Sequence, residues 1–446
     1  MIKKTLFIFI TTSLLGLSIK AQDLHNPLSL YGIGEFVNND QTAVVSNGWA
    51  NQTFYDRFHV NINNPASYSY LLSSTFETGI NASYSTFQNN TSDYRFWSGQ
   101  LAHMSLAFPI FSPYNELLEK KNRKFHWGMG IAIKPYTRVA YNYDFITDDP
   151  QVGPVQNKHF GKGGTYKLHY NNGLSYKNFS AGIGLQYIFG KILRTDEVSF
   201  KDNSGAFGYV TSLEKEVYVK GLQYHFSAMY NYVLNPMTNG KKTDFDKEKR
   251  ITIGASFQPT SRLKTNVEGV NSVYSYQLGT SLSDTLSSSF DNHYDKNTFN
   301  SSYGIGLSYQ HGANWQININ YDNEIFDKYA LKGLEANYSN SGMFKIGGEW
   351  CPEPNSFNSF LKRSKYRLGF RTGKLPLTLD SYQTTIKSAV LGYGFPIYVN
   401  RQISYVNFAI EGGLKTYNAN LSEKYIKLQI GFNLNDDYWF LKRKFD

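Results

Sequence analysis

The chain has 446 residues, a formal net charge of +10 and a single cysteine, Cys351. One cysteine excludes an intrachain disulfide scaffold, and the basic residues form no concentrated stripe with interleaved aromatics, so nucleic acid is not an expected partner. The mean hydropathy of −0.43 does not exclude a membrane β-barrel, because apolar and polar faces average out along its strands.

The first 21 residues have the features of a secretory signal peptide. Lys3 and Lys4 form a basic start, an apolar run extends from Leu6 to Leu17, and Ala21 precedes a plausible cleavage point. The run is too short to span a membrane as a helix. We therefore expect residues 1–21 to be removed on export.

Residues 22–72 do not alternate between apolar and polar positions, and we predict that they form a separate N-terminal segment. The segment contains Gly32 and Gly34, then a polar stretch, then Asn64-Pro65-Ala66. Pro65 fixes its own φ and favours an extended Asn64, which suits a turn into the first strand.

Residues 73–435 alternate with the period of a β-strand. In the clearest run, Ile426, Leu428 and Ile430 alternate with Lys427 and Gln429. Apolar residues on one face and small or polar residues on the other are typical of a strand between lipid and a polar barrel interior. About fourteen strands are predicted, near 73–88, 95–111, 124–145, 164–176, 178–200, 207–234, 247–277, 300–310, 313–325, 338–350, 364–373, 384–396, 401–416 and 423–435. Residues 436–446 form a C-terminal extension.

The composition of the polar face favours a membrane barrel over a soluble β-sandwich. Both alternate, but a sandwich would show Lys, Glu and Thr to water, whereas this face is rich in Gly, Ser, Asn and Gln. The prediction is an all-β, transmembrane antiparallel β-barrel of about fourteen strands in the bacterial outer membrane. We expect Trp315, Ile317, Ile319 and Tyr321 to face lipid.

The connections give a second test of this architecture, because outer loops are usually long and inner turns short. Tight inner turns are predicted near 177–178, 311–312 and 399–400. Long outer loops are predicted near 146–163, 278–299 and 326–337. Basic residues on such loops are compatible with anionic lipopolysaccharide.

No motif indicates catalysis. The sequence has no Gly-x-Ser-x-Gly, no paired-cysteine zinc spacing and no His-Glu-x-x-His, so we expect no enzyme, cofactor or metal. A Ser/His site assembled across strands is a background alternative. Gly-x-Gly pairs within strands lack the dinucleotide pattern, and we interpret them as inward glycines that make room in the lumen; they are Gly128/Gly130, Gly182/Gly184, Gly304/Gly306 and Gly392/Gly394.

Several charged residues fall on the inward face by parity. A solvated or salt-bridged network is the ordinary interpretation, since lumen residues are usually polar. The functional alternative is a site that holds a substrate head group or clamps the N-terminal segment. The candidates are Glu77, Lys134, Glu268, Lys345, Glu349, Arg371 and Glu411.

Pro135 lies mid-way along the third predicted strand. Proline removes a ladder donor, so inside a sheet it marks a bulge or a break. The ordinary interpretation is a tolerated bulge near the rim. The functional interpretation is a wall defect that opens sideways, with Lys134, Pro135 and Tyr136 as the candidate lateral gap.

With its export signal, its non-alternating segment ending in Asn64-Pro65-Ala66, its fourteen strands and its terminal amphipathic strand, the chain resembles the FadL-like outer-membrane transport family (OMPP1/FadL/TodX). It resembles the Bacteroidetes form, which includes PorV-type proteins of type IX secretion. The resemblance implies that residues 22–72 are a hatch plugging the barrel, with Gly32, Gly34, Asn64, Pro65 and Ala66 in it. It also implies passage of hydrophobic molecules through a lateral gap at a kinked third strand.

The leading hypothesis is a passive channel for hydrophobic or amphipathic small molecules in an environment of outer-membrane lipid and lipopolysaccharide. The second is a non-transport barrel that binds a secretion or envelope-assembly protein. An enzyme is a distant third. A continuous apolar pocket reaching a wall opening would favour the channel, and a filled lumen with ordered, protruding loops would favour the partner protein.

Overall fold

The computed structural model describes residues 26–89, 93–111, 123–150, 153–200, 209–235, 237–238, 241–242, 248–277, 280–289, 295–326, 336–356, 358–399 and 402–436. The predictions for the signal peptide and for most of the C-terminal extension lie outside these residues. Among the described residues, no helix has the length and apolar character needed to cross a membrane.

Apart from a few short helical turns, the described chain is β-structure. Its strands are β1 (Glu35–Phe36), β2 (Ser74–Gln88), β3 (Asp93–Pro109), β4 (Phe125–Asp149), β5 (Gly153–Tyr176), β6 (Phe179–Phe200), β7 (Tyr209–Val233), β8 (Met237–Thr238), β9 (Lys241–Lys242), β10 (Lys249–Gln258), β11 (Ser261–Gln277), β12 (Thr280–Ser289), β13 (Asp295–Phe299), β14 (Ser301–His311), β15 (Trp315–Ile325), β16 (Ser341–Trp350), β17 (Lys365–Leu379), β18 (Tyr382–Val399), β19 (Gln402–Thr416) and β20 (Ser422–Asp436).

These strands close into one antiparallel barrel. The first and last wall strands, β2 and β20, pair along their length from Ser74↔Asp436 to Gln88↔Ser422. Strands β10 and β11 both pair with β7 and form one interrupted wall strand. Their common neighbour is built from β12, β13 and β14. The wall therefore has fourteen strands, and the predicted all-β antiparallel barrel is confirmed.

The faces of β15 are those that the alternation predicts. Ile317 and Ile319 are 50% and 41% exposed on the outer surface. Between them, Asn318 is buried and donates from Nδ2 to the Asn47 carbonyl at 3.0 Å. Asn320 accepts from the Gln52 amide at 3.2 Å. An apolar outer row and a polar inner row are what a lipid-embedded barrel requires, which places the protein in the outer membrane.

Strands β4 to β7 continue well beyond the membrane. They have 25, 24, 22 and 25 residues, whereas about 9–11 residues span the hydrocarbon core. The end where β2 begins and β20 ends is the periplasmic end of such barrels, so the surplus forms an extracellular extension.

Two of the predicted outer loops are therefore wrong. Most of 146–163 belongs to β4 and β5, which remain paired as far as Asp149↔Gly153, and most of 278–299 belongs to β12 and β13. Outside the membrane neither face of a strand has to be apolar, so the alternation fades although the ladder continues. The third predicted loop, 326–337, lies mostly outside the described residues. The tight inner turns near 177–178 and 311–312 are confirmed, and residue 400 of the third lies outside the described residues.

The N-terminal segment, residues 26–73, packs against inward-facing wall residues. It contains 3₁₀ helices at Pro27–Leu30 and Pro65–Tyr70, strand β1 and one short helix, α1 (Thr42–Ser46). Asn26 and Asn64 begin the two 3₁₀ helices, and each accepts a backbone N–H with its side chain. Almost every residue from 39 to 54 is buried. The wall therefore buries the segment around a small apolar cluster of the segment's own, formed by Ala43, Val44, Ala50 and Phe54.

Candidate functional site

The ladder between β3 and β4 is incomplete. Strand β3 pairs with β2 from Ala107 to Asp93, but it pairs with β4 only from Pro109↔Gly128 to Met104↔Ile133. Beyond Ile133 the two strands part, and the stretch of β3 from Asp93 to His103 has no strand on this side among the described residues. We call the stretch over which these two strands are not paired with each other the wall gap.

Pro135 lies immediately beyond the point where the strands part. On the β5 side the register shifts between Pro135↔Tyr166 and Thr137↔Thr165, and Tyr136 is the extra residue of this bulge. The bulge places Tyr136 and Thr137 on the inner side in succession. It reverses the parity of the strand, so that Val139 and Tyr141 enter the buried core.

The N-terminal segment covers the edge of β4 that β3 leaves. Strand β1 pairs with it at Glu35↔Arg138 and Phe36↔Thr137. The Val37 amide donates to the Tyr136 carbonyl at 2.9 Å, and the Asn26 amide donates to the Ala140 carbonyl at 2.9 Å. Unpaired backbone groups facing lipid cost several kcal/mol each, so this cover stabilises an interrupted wall.

A cavity of about 190 Å³ lies behind the wall gap, between the N-terminal segment and the wall. One part of its lining is apolar, and another carries paired charges. Lys415 lies 2.7 Å from Glu35 and 3.1 Å from Glu423, and Arg371 pairs with Glu411. Its apolar lining includes Leu28, Tyr31, Phe36, Phe96, Leu375, Leu377 and Ile386. Such a lining suits a molecule with an apolar body and a polar end.

Lys134 joins the segment to the interrupted strand. Its Nζ lies 2.8 Å from both Asp40 Oδ1 and Asn63 Oδ1, and Asn63 Nδ2 donates to Asp40 at 2.7 Å. Burial alone would raise the pKa of Asp40, but the Lys134 ammonium and the Asn63 amide hold the pKa of this carboxyl well below its usual range. Asp40 is therefore ionised, and it accepts hydrogen bonds from both Lys134 and Asn63.

Most of these candidate charges lie on the lumen side of the wall, where their partners are wall or segment groups. Glu77 accepts from the Val60 amide at 3.3 Å, and Lys345 pairs with Asp322. Glu349 lies 2.7 Å from Arg367 Nε and 3.1 Å from Lys365 Nζ. This is the salt-bridged network of the ordinary interpretation, extended onto the segment.

Glu268 is wrongly predicted to face inward. In β11, Leu263 and Thr265 are buried in the inner core, against which Val267 also packs. Asn266 is buried as well, and its Nδ2 donates to Glu268 at 3.0 Å. Glu268 lies opposite Glu216 on the outer face. The wall strand is interrupted at 259–260, between β10 and β11, and this interruption reverses the parity that the sequence pattern extrapolates.

Comparison with known proteins identifies the family and the fold. A family model described as BamG matches residues 1–446. The chain belongs to the BamG family. Among solved structures, the Pseudomonas putida toluene transporter TodX is 11% identical, with a TM-score of 0.50 over 89% of this chain and 98% of TodX. A TodX deltaS2S3 mutant, a monoaromatic hydrocarbon channel, is 11% identical, with a TM-score of 0.50 over 89% of this chain and 99% of the mutant. No curated protein matches the chain in sequence.

The comparison separates fold from family. The similarity to TodX confirms the FadL-like resemblance for the barrel. At 11% identity this similarity shows the fold and nothing beyond it. The family of this chain is BamG, a different name from the one that the resemblance suggested. The Bacteroidetes and PorV part of the resemblance stays a prediction.

The candidate hatch residues of this BamG-family protein all lie on the segment at close approaches. Gly32 and Gly34 have φ of +57° and +100°, and a Cβ on Gly34 would meet the Arg138 carbonyl oxygen at 2.5 Å. Asn64 Nδ2 donates to the Gln52 carbonyl at 2.8 Å, and the Ala66 amide donates to Ser227 Oγ at 2.8 Å. Asn64-Pro65-Ala66 thus begins a 3₁₀ helix against β5 to β7, not a direct turn into β2.

The strand glycines make room for this segment, as the sequence predicts. A Cβ on Gly182 would lie 2.3 Å from the Ala66 nitrogen, and one on Gly128 would lie 1.9 Å from the Tyr68 carbonyl oxygen. A Cβ on Gly306 would meet the Gln52 side chain, and one on Gly392 would meet the Ser46 side chain. The glycine-rich inner face therefore receives both backbone and side chains of the segment.

Sequence reasoning missed the segment's own acids. Glu35, Asp40 and Asp56 are the partners of the wall cations Lys415, Lys134 and Lys365. The available signal was three isolated acids in a stretch that does not alternate, but their partners are nearly a hundred to several hundred residues away in sequence. Within the described chain, no group of three or more His, Cys, Asp or Glu is placed to hold a metal.

Proposed function

We propose that this BamG-family protein is a passive channel for small hydrophobic or amphipathic molecules, including fatty-acid-like ones, which leave sideways through the wall gap. The observation that carries the proposal is the end of the β3–β4 ladder at Met104↔Ile133 directly in front of a partly apolar cavity. The TodX structures, which share the fold, are titled as transporters of toluene or monoaromatic hydrocarbons. No bond is made or broken in this function.

In this proposal residues 26–73 are the hatch. A solute enters from the extracellular end, loses its water against Leu28, Phe36 and Ile386, and keeps a polar end near Lys415. It then passes between β3 and β4 into the outer leaflet. Strand β1 is hydrogen-bonded to the β4 edge along which the solute must travel, so β1 has to move away together with the hatch.

Closing the wall gap chemically tests this route. In the double variant Gln100→Cys and Arg138→Cys, a short bis-maleimide would bridge positions whose side chains already touch, Arg138 Nη1 lying 3.3 Å from Gln100 Oε1. Cys351 competes poorly for the reagent, because burial raises its thiol pKa to about 11. We expect the bridge to reduce uptake of a fluorescent fatty acid into vesicles at least several-fold.

The matched control crosslinks two strands that are already hydrogen-bonded to each other. Thr147 and Asn157 lie on paired strands β4 and β5, outside the cavity, with Asn157 Nδ2 3.0 Å from Thr147 Oγ1, so a cysteine pair there crosslinks without changing the gap. Equal uptake by both crosslinked proteins would overturn the lateral route. In a second variant, Pro135→Val, we expect a regular ladder and slower uptake by a folded barrel.

The extracellular extension supports a second candidate function, binding of a secretion or envelope-assembly protein. Strands β4 to β7 are at least twice the length that a membrane needs, and the segment packs against inward-facing wall residues. A chain in which residues 142–159 are replaced by a tight turn distinguishes the two functions. Loss of outer-membrane protein levels in cells with normal fatty-acid uptake would favour the partner role.

A further inference from the structure

We propose that the periplasmic end carries a docking bowl for an acidic peptide segment of a periplasmic protein. The bowl is a cavity of about 570 Å³, and no residue lines both it and the cavity behind the wall gap. Its floor is formed by residues 54–58 and 69–72 of the N-terminal segment, and its rim by wall-strand ends and turns such as Lys177-Asn178 and Gly312-Ala313. The volume is within the range of protein ligand sites.

The charge of the bowl indicates the sign of its partner. Five cations line it, Arg57, Lys177, Arg250, Arg363 and Lys365, against two carboxylates, Asp56 and Glu349. Both carboxylates are already occupied by Lys365, at 3.0 and 3.1 Å. The remaining field is positive, and it attracts a negatively charged segment.

Arg363 and Lys177 are the cations best placed to receive that segment. The Arg363 guanidinium lies over the Tyr398 ring at 5.3 Å, and its buried Nε has no hydrogen-bond partner within the described structure. Lys177 is exposed at the opposite turn, with its Nζ 5.3 Å from the Tyr176 ring centre. Arg250, in contrast, is held by Glu248 and Tyr55.

The aromatic lining favours a polypeptide over a small anion. Tyr55 and Tyr70 pack with ring centres 4.4 Å apart, and Tyr398 and Tyr405 lie on the facing wall. Tyr, Trp and Arg concentrate at the energetic centres of protein interfaces. The bowl lies inside the ring of strand ends, so a peptide can enter it from the periplasm and a lipid surface cannot.

The protein's own tail is the competing occupant. Residues 437–446 follow β20 at this end, and Asn435 Nδ2 donates at 2.8 Å to the carbonyl of Ile403, a rim residue. The tail is aromatic, but it carries Lys442, Arg443 and Lys444. This basic run fits a positive bowl less well than an acidic partner does.

Anisotropy with two labelled synthetic peptides tests the proposal on the full chain in nanodiscs. One twelve-residue peptide alternates Glu with Tyr, and the other replaces every Glu by Lys. We expect only the acidic peptide to bind, with weaker binding in 0.5 M salt. Arg363→Gln and Lys177→Gln should each reduce its affinity about tenfold, which is about 1.4 kcal/mol.

Lys362→Gln is the matched control, because it removes the same charge from the same loop, and Lys362 pairs with Glu353 outside the bowl. Heat-modifiable migration on gels checks that each barrel is folded. Binding of both peptides alike, or equal loss in all three variants, would overturn the proposal. Binding that appears only after residues 437–446 are deleted would also overturn it, in favour of the tail.

Discussion

Lys134 Nζ lies 2.8 Å from Asp40 Oδ1 at the level of the wall where β3 and β4 part. The cation precedes Pro135, which interrupts the strand, and the anion belongs to the segment that covers the interruption. The same contact therefore fixes the N-terminal segment and the weakest part of the wall. Removing either charge should act on both.

Replacing Lys134 by Met should loosen the N-terminal segment. Asp40 would remain buried without its counter-ion, and breaking one side of a buried pair typically costs about 3–5 kcal/mol. We expect a folded barrel with higher conductance in planar bilayers and faster trypsin cleavage at Arg57. The control is Lys158→Met, which removes a half-exposed cation paired with Glu197 on the extracellular extension. Identical conductance in both variants would contradict the prediction.

A methyl group on one inward glycine should have a similar effect. A Cβ on Gly182 would lie 2.3 Å from the Ala66 nitrogen and 2.4 Å from the Pro65 carbonyl carbon, both of them backbone atoms. Gly182→Ala should therefore displace the 3₁₀ helix at Pro65–Tyr70 and destabilise the protein by about 1–3 kcal/mol. Gly412→Ala is the control, because nothing lies within 4 Å of its Cβ. Thermal unfolding of the two variants compares them, and equal melting temperatures would refute the clash.

The wall could be predicted from the sequence because one physical rule acts at every position in the membrane. Lipid outside and a polar interior impose period-2 alternation, and this gave fourteen strands and the outward register of Ile317 and Ile319. The rule fails where the chain leaves the membrane, as in β4 and β5, and where a strand is interrupted, as before Glu268. A local interruption reverses parity without changing the composition on either side.

The candidate site could be predicted only in part. Pro135 was found because proline has a defined effect inside a ladder, and the strand glycines because a Cβ was visibly missing on one face. The pairs Asp40–Lys134 and Glu35–Lys415 could not be found, since their members are 94 and 380 residues apart. Only the closed barrel brings these residues together.

An arginine on the outer face tests which part of the barrel lies in the membrane. Ile317→Arg should destabilise the barrel by about 2–4 kcal/mol if this position lies near the mid-plane. Ile146 is a control with a similar exposed fraction, 55% against 50%, but it lies on the extracellular extension, where Ile146→Arg should be almost neutral. Urea unfolding in lipid vesicles measures both. A similar cost at the two positions would mean that the extension also lies in lipid.

The attachment of the N-terminal segment should weaken as the pH falls below about 6.5, the usual histidine pKa. His59 of the segment is buried, and burial lowers its pKa although Asp56 opposes the change. Arg367 donates to Asn407 Oδ1, which identifies the other polar atom of this amide as the Nδ2 donor. Asn407 Nδ2 donates to His59 Nε2 at 3.1 Å. This ring nitrogen therefore carries no proton, and the docked imidazole is neutral. Above pH 6.5 the His59 side chain is neutral whether the segment is attached to the wall or detached from it. Below pH 6.5 only the detached segment takes up a proton at His59, which favours detachment.

Asp40 and Asp56 set the lower limit of this pH window. Burial alone would raise the pKa of each, but Lys134 and Lys365 hold both values well below the usual range. Their contribution is therefore complete above about pH 4 and is lost only in stronger acid. Between pH 7.5 and 5 we expect trypsin cleavage at Arg57 to accelerate in the parent and much less in His59→Gln, whose side-chain carbonyl oxygen can accept the Asn407 Nδ2 hydrogen bond in place of the imidazole. His159→Gln, on the extracellular extension, is the control and should keep the parent profile. An unchanged pH profile in His59→Gln would assign the effect to another group.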